Sequence, residues 1–127
     1  MWMESGERTM PSAMILEDDA AQLRLLKMLL RMEGFDVATA TNGVDGVSEA
    51  VAVHPDVILL DLDLPVMDGR EAYRQLRARG VDAPVVIVSA YGARKAQREL
   101  HAEAALEKPF QPDELVRTVH RLTRHAT

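Results

Sequence analysis

Val57-Ile58-Leu59-Leu60-Asp61-Leu62-Asp63-Leu64-Pro65-Val66-Met67-Asp68-Gly69 lies near the middle of the chain, and its apolar run ends in an acid. The four residues before Asp61 show no polar alternation. That is the pattern of a strand buried on both faces of a parallel sheet. Such a strand delivers Asp61 to the carboxyl edge of the sheet, where open α/β sheets bind their ligands. Pro65 and Gly69 fit a loop that turns into a helix. A carboxylate in this place serves as a nucleophile or as a metal ligand.

Outward from this strand, the chain alternates strand and helix. Ala13-Met14-Ile15-Leu16 is a short apolar run ending at Glu17-Asp18-Asp19. Leu23, Leu26, Leu29 and Leu30 recur at helical spacing, which predicts a helix over Ala21 to Met32, stopped by Gly34. Phe35 to Ala40 alternates as a second strand, Thr41-Asn42-Gly43 turns, and Val44 to Val53 forms a second helix. After the Val57–Leu60 strand, Arg70 to Arg79 is a third helix with Tyr73 and Leu76 inward. Val85-Val86-Ile87-Val88 is a fourth strand ending at Ser89. Ala93 to Leu100 is a short polar helix, and Ala104-Ala105-Leu106 is a fifth strand entering Glu107-Lys108-Pro109-Phe110. The last helix starts at Pro112, a favoured first helical position, with Leu115, Val119 and Leu122 inward. Five such units predict a doubly wound α/β fold, its parallel sheet covered by helices on both faces.

Composition narrows the class. A chain of 127 residues, 47% apolar, makes one ordinary domain with a real core. With no Cys there is no disulfide framework and no thiolate chemistry. The longest apolar runs, four residues, are far too short to span a membrane. A net charge of −5 argues against a generic nucleic-acid patch. Residues 1–12 are mixed polar and are expected to form a disordered tail. His54, His101, His120 and His125 have no metal-ligand spacing and read as surface residues.

The strand ends suit one chemistry. The first ends in Glu17-Asp18-Asp19, the third in Asp61, the fourth in Ser89, and the fifth runs into Lys108. If these strands are neighbours, carboxylates, a hydroxyl and an ammonium meet at one edge. Clustered carboxylates raise one another's pKa. A hard divalent cation relieves that repulsion, and Mg²⁺ suits a site of one or two carboxylates plus a phosphate oxygen. A carboxylate that attacks phosphorus becomes an aspartyl phosphate, and the transferred group needs its equatorial oxygens neutralised. Singly, each motif has a plainer meaning. Glu17-Asp18-Asp19 suits a helix N-terminus, Asp68 a helix cap, and Tyr73, Tyr91 and Met67 read as packing residues. Arg94, Lys95 and Arg98 read as a solvated basic face.

Glu17-Asp18-Asp19 after an apolar strand, the Val57–Gly69 stretch, Val88-Ser89-Ala90 and Lys108-Pro109-Phe110 together resemble the receiver domain of two-component response regulators. The resemblance runs from about Met14 to Arg124 and implies a single receiver domain over residues 13–125. It implies the flavodoxin-like strand order 2-1-3-4-5 with five helices. It implies that Asp61 is the phosphoacceptor, and that Mg²⁺ is held by Asp18 directly, Glu17 through water, Asp61, and the backbone carbonyl of Asp63. Ser89 corresponds to the hydroxyl that binds the phosphoryl group, and Lys108 to the lysine that pairs first with the acceptor and then with that group. Pro109 corresponds to a cis Lys-Pro bond, and Gly69 to the turn glycine after the active-site loop. The implied protein is a cytoplasmic signalling switch, not an enzyme, in which slow autodephosphorylation would reset the acceptor. Its donor is a histidine kinase or histidine phosphotransfer protein, and its reader a downstream protein or output domain. Nucleic acid and membrane are not direct partners of such a domain.

Two departures bear on output. Ala105 stands three before Lys108, where the family usually carries an aromatic residue, and the stretch from Ser89 to Lys108 is short. Asp61-Leu62-Asp63 also resembles the nucleophile and acid pair of haloacid-dehalogenase-type phosphohydrolases, with Ser89 and Lys108 in place of the later motifs. Against that reading, a strand and an acidic cluster precede Asp61, the downstream acidic pair is absent, and there is no cap segment. A pseudo-receiver that only binds is a third reading, opposed by the complete acid and lysine set.

Overall fold

Alternate strand residues are buried on opposite faces of one sheet, and this is what organises the molecule. The computed structural model describes residues 10–124. Its elements are β1 (Ser12–Leu16), α1 (Ala20–Met32), β2 (Asp36–Ala40), α2 (Gly43–Val53), β3 (Val57–Asp61), α3 (Gly69–Ala78), β4 (Val85–Ser89), α4 (Ala93–Leu100), β5 (Ala104–Glu107) and α5 (Pro112–Arg124). The strands pair in parallel in the order β2-β1-β3-β4-β5.

Met14, Leu16, Ile58, Leu60, Val85 and Ile87 point to one face, where Val47 and Ala50 of α2, Ala72, Tyr73 and Leu76 of α3, and Ala93 and Ala96 of α4 cover them. Ala13, Ile15, Val57, Leu59, Val86 and Val88 point to the other, under Leu26 and Leu30 of α1 and Leu115 and Val119 of α5. Residues such as Leu30, Ile58 and Leu115 are fully buried, each worth about 1.5–3 kcal/mol relative to exposure. The doubly covered sheet explains the unbroken apolar runs of β3 and β4.

Short polar side chains start the helices. Asp19, Asn42 and Asp68 accept backbone N–H bonds from Gln22, Asp45 and Glu71 at the N-termini of α1, α2 and α3. The Arg77 guanidinium lies 4.8 Å from the centre of the Tyr73 ring. It donates to the carbonyls of Val81 and Ala83 and to Glu103, whose carboxylate also accepts the Val85 N–H. One side chain thus ties the end of α3 to the starts of β4 and β5.

The expected elements are all present, with ends shifted by a residue. β1 opens at Ser12, inside the stretch expected as tail, and the neighbouring Pro11 carbonyl accepts the Asp36 N–H. The remainder of that stretch up to residue 9, and His125, lie outside the described residues. Tyr73 is buried as expected, but Tyr91 is 88% exposed and is not a packing residue. It follows the end of β4 in a short loop before α4, beyond the reach of either core face. His54 and His101 are exposed, and His120 is partly covered where it meets Glu33 at 2.8 Å.

Candidate functional site

The sheet ladder runs one residue past β1, β3 and β5 and fixes the groups at its edge. Glu17 follows β1 and donates its N–H to the Ala40 carbonyl. Leu62 follows Asp61 and donates to Val88, and Lys108 follows β5 and donates to Ser89. Backbone bonds at the ends of four strands, β1, β3, β4 and β5, therefore set the places of Glu17, Asp61, Ser89 and Lys108. All of these lie at the carboxyl edge, the ligand edge of open α/β sheets.

The Lys108 ammonium lies 3.1 Å from Asp61 Oδ2 and 3.1 Å from Glu17 Oε1. Asp61 Oδ1 accepts the Asp63 N–H at 2.9 Å, and Glu17 Oε2 accepts the Asp19 N–H at 3.1 Å. Glu17 and Asp61 are buried, at 2% and 5% exposure, while Asp18 is open to solvent. Glu17, Asp18 and Asp61 each offer an oxygen within 4.8 Å of the others. The Asp63 side chain is exposed.

Burial raises the Glu17 carboxyl above its ordinary range, and Asp61 nearby adds to this against the lowering effect of the Asp19 N–H and of Lys108. Burial pulls the Lys108 ammonium down, but its hydrogen bonds to Asp61 and Glu17 outweigh that and hold it above the ordinary lysine value. Raised values for both a carboxyl and an ammonium in one compact cluster are a mark of functional sites.

Ser89 is 2% exposed, and its Oγ is engaged twice with Tyr91, donating to the carbonyl at 2.9 Å and accepting the N–H at 3.1 Å. Gly69 closes the loop after Asp61, donating its N–H to the Leu62 carbonyl at 2.8 Å. A Cβ there would lie 2.5 Å from the Asp61 carbonyl oxygen, so the close approach requires glycine. The Lys108–Pro109 peptide is cis.

The structure thus brings Glu17, Asp18, Asp61 and Lys108 together and sets Ser89 at the adjoining strand end. Sequence reading expected Lys108 to meet Asp61 and assigned Glu17 to the metal alone. The second contact, to Glu17, was missed because the sequence shows which strand end a residue occupies but not how far its side chain reaches.

The family model "Response regulator receiver domain" matches residues 13–120. The transcriptional regulatory protein PrrA of Mycobacterium tuberculosis is 40% identical over 125 residues, 96% of this chain. The chain belongs to the response regulator receiver domains. The cell cycle transcriptional regulator CtrA of Caulobacter vibrioides is 33% identical over 89% of the chain. The chain spans about half the length of these relatives, 53% of PrrA and 50% of CtrA. Among solved structures, the receiver domain of the sensor histidine kinase PA1611 of Pseudomonas aeruginosa superposes with a TM-score of 0.82 at 30% identity. That match covers 91% of this chain and 99% of the other, which has a magnesium ion coordinated in its active-site cleft. The receiver of the Francisella response regulator 1452 matches at a TM-score of 0.85 and 27% identity, over 92% and 99% of the two chains. This receiver has the family's strand order, and a haloacid-dehalogenase-type activity finds no support in these matches.

Proposed function

We propose that this receiver takes a phosphoryl group onto Asp61 from a phosphohistidine of a histidine kinase or histidine phosphotransfer protein. The observation that carries this is the buried Asp61 carboxylate, held at Oδ1 by the Asp63 N–H and at Oδ2 by Lys108, beside two further acids. An Asp61 oxygen attacks phosphorus, the new P–O bond forms as the P–N bond breaks, and the imidazole keeps the electron pair. Lys108 starts on the Asp61 and Glu17 carboxylates and follows the charge to the phosphoryl oxygens. Ser89 donates to a phosphoryl oxygen after giving up its bond to the Tyr91 carbonyl.

The clustered oxygens of Glu17, Asp18 and Asp61 are the hard donors that Mg²⁺ selects. Asp18, Asp61 and the Asp63 carbonyl would hold the ion, with Glu17 acting through water. Bound there, Mg²⁺ neutralises charge on the acceptor and on the transferred group. The chain then acts as a switch for a downstream protein or output domain in the cytoplasm. Among the described residues, no helix is long and apolar enough to cross a membrane.

The test is incubation with acetyl phosphate and Mg²⁺, followed by intact-mass analysis. One phosphoryl group is expected on the wild-type protein and none on Asp61→Asn. Equal labelling of the two would refute the assignment.

A further inference from the structure

Helix α4 begins without a cap of its own. Gly92 stands at its N-cap position with φ +77° and offers no side-chain acceptor. The acceptor comes instead from another element. The Glu107 carboxylate, on the last residue of β5, takes the Ala93 N–H at 3.1 Å and lies 3.5 Å from the Arg94 N–H. A carboxylate at this end of a helix also meets the favourable pole of its dipole. The capping acid is therefore borrowed from the strand that carries Lys108.

Glu107 is placed between the site and the helix. It pairs in register with Ser89 across β4 and β5, and Lys108 follows it. The Lys108 N–H is bonded to the Ser89 carbonyl, so these two strand ends are tied at the backbone. Ser89 Oγ holds both the N–H and the carbonyl of Tyr91, one residue before Gly92. A short path thus leads from the hydroxyl at the site, through Tyr91 and Gly92, to the N–H groups that Glu107 caps.

Little else fixes this end of the helix. Only small side chains of α4, those of Ala93 and Ala96, are fully buried. Further polar ties, Arg70 to Glu99, the Gln97 amide to the Ala102 carbonyl and the Tyr73 hydroxyl to the carbonyl of the C-cap His101, act at its C-terminal end. A helix of eight residues with so little buried surface is marginal without its cap.

We propose that Glu107 is a positioning residue that latches the N-terminus of α4 to β5 in the unphosphorylated receiver and is released when Ser89 turns to the phosphoryl group. The inference rests on the reading of Asp61 as phosphoacceptor. A latch that holds only the resting state opposes the activated one, so its removal favours activation by the linkage of the two equilibria.

The test compares wild type, Glu107→Ala and Glu107→Gln, each titrated with beryllofluoride, a phosphoryl mimic, in Mg²⁺. Amide exchange of Ala93 to Ala96 is followed by NMR. In wild type, beryllofluoride should speed exchange at Ala93 and Arg94. Glu107→Ala should show fast exchange there before any mimic is added, and should half-saturate at a concentration roughly three- to tenfold lower, the range set by loss of a helix cap. Glu107→Gln keeps a carbonyl acceptor and should stay near wild type in both measurements, which a loss of general stability would not produce. A shift in half-saturation of less than about twofold for Glu107→Ala, against the cap range, would overturn the latch alone, as would undiminished protection of Ala93 and Arg94 in wild type bound to the mimic. Failure of wild type to bind beryllofluoride would instead overturn the phosphoacceptor reading, and the latch with it.

Discussion

Lys108 and Glu17 lie 91 positions apart in the chain, and the ammonium of one sits 3.1 Å from the carboxylate of the other. The same ammonium reaches Asp61 at the same distance. One cation therefore balances two buried acids, and removing it exposes them to each other.

Lys108→Gln should fold but lose about 2–3 kcal/mol at neutral pH, the cost of unbalancing a largely buried charge cluster. The loss should depend on pH in two ways. The Lys108 value is raised in the folded state, so its contribution is complete below the ordinary lysine value of about 10.4 and fades as pH rises through the raised one. Glu17 is also raised, and without Lys108 it rises further. Protonation of Glu17 as pH falls through that raised value removes the unbalanced charge. Urea unfolding of both proteins between pH 4 and 11 should give a difference that peaks between those limbs. A difference flat across the range would contradict this account.

Mg²⁺ at ten times its Kd should stabilise the protein by about 1.4 kcal/mol through mass action. For a domain of this size that is about 5 °C in Tm. Asp18→Asn removes the exposed member of the acidic group and should lose most of the gain while melting normally without the ion. Scanning calorimetry with and without Mg²⁺ decides the matter, and a wild-type Tm indifferent to the ion would rule the site out.

Gly69→Ala should cost about 1–3 kcal/mol, as overpacking does. The added Cβ would meet backbone, the Asp61 carbonyl oxygen and the Leu62 Cα, both at 2.5 Å, so relief must come from moving the end of β3. Labelling by acetyl phosphate should slow accordingly. Unfolding midpoints together with labelling rates check both effects.

Val66 holds φ +70° while 83% exposed, and the Met67 N–H bonds back to the Pro65 carbonyl at 2.7 Å. A β-branched residue is strained in that conformation, which Asn tolerates better. Val66→Asn should therefore raise stability by about 1 kcal/mol. A thermal melt that is unchanged or lowered would show that the turn stores no such strain.

The fold was legible because both periodicities are strong here. The runs Val57–Leu60 and Val85–Val88 have no polar interruption, and Leu26, Leu30, Leu115 and Val119 keep helical spacing. The site was legible as a set of strand ends, since Glu17, Asp61, Ser89 and Lys108 each follow or close an apolar run. Long side chains crossing between elements were not legible. Nothing in the sequence spacing marks Arg77 as the link to Glu103, or Glu107 as the cap of α4, because both contacts depend on side-chain reach after the strands have paired. Tyr91 failed for a related reason. An aromatic residue reads as core unless the loop that carries it is known to hold it in solvent, as this one does.

The place of Lys108 just after the last strand has a consequence for synthesis. A ribosome delivers Glu17 first, Asp61 next and Lys108 only after another 46 residues of chain. Until then β1 and β3 can pair only by bringing two acids together with no lysine between them. A product that stops short of Lys108 lacks the ammonium that pairs with these two acids. Translation through Lys108 supplies the ammonium that pairs with both acids.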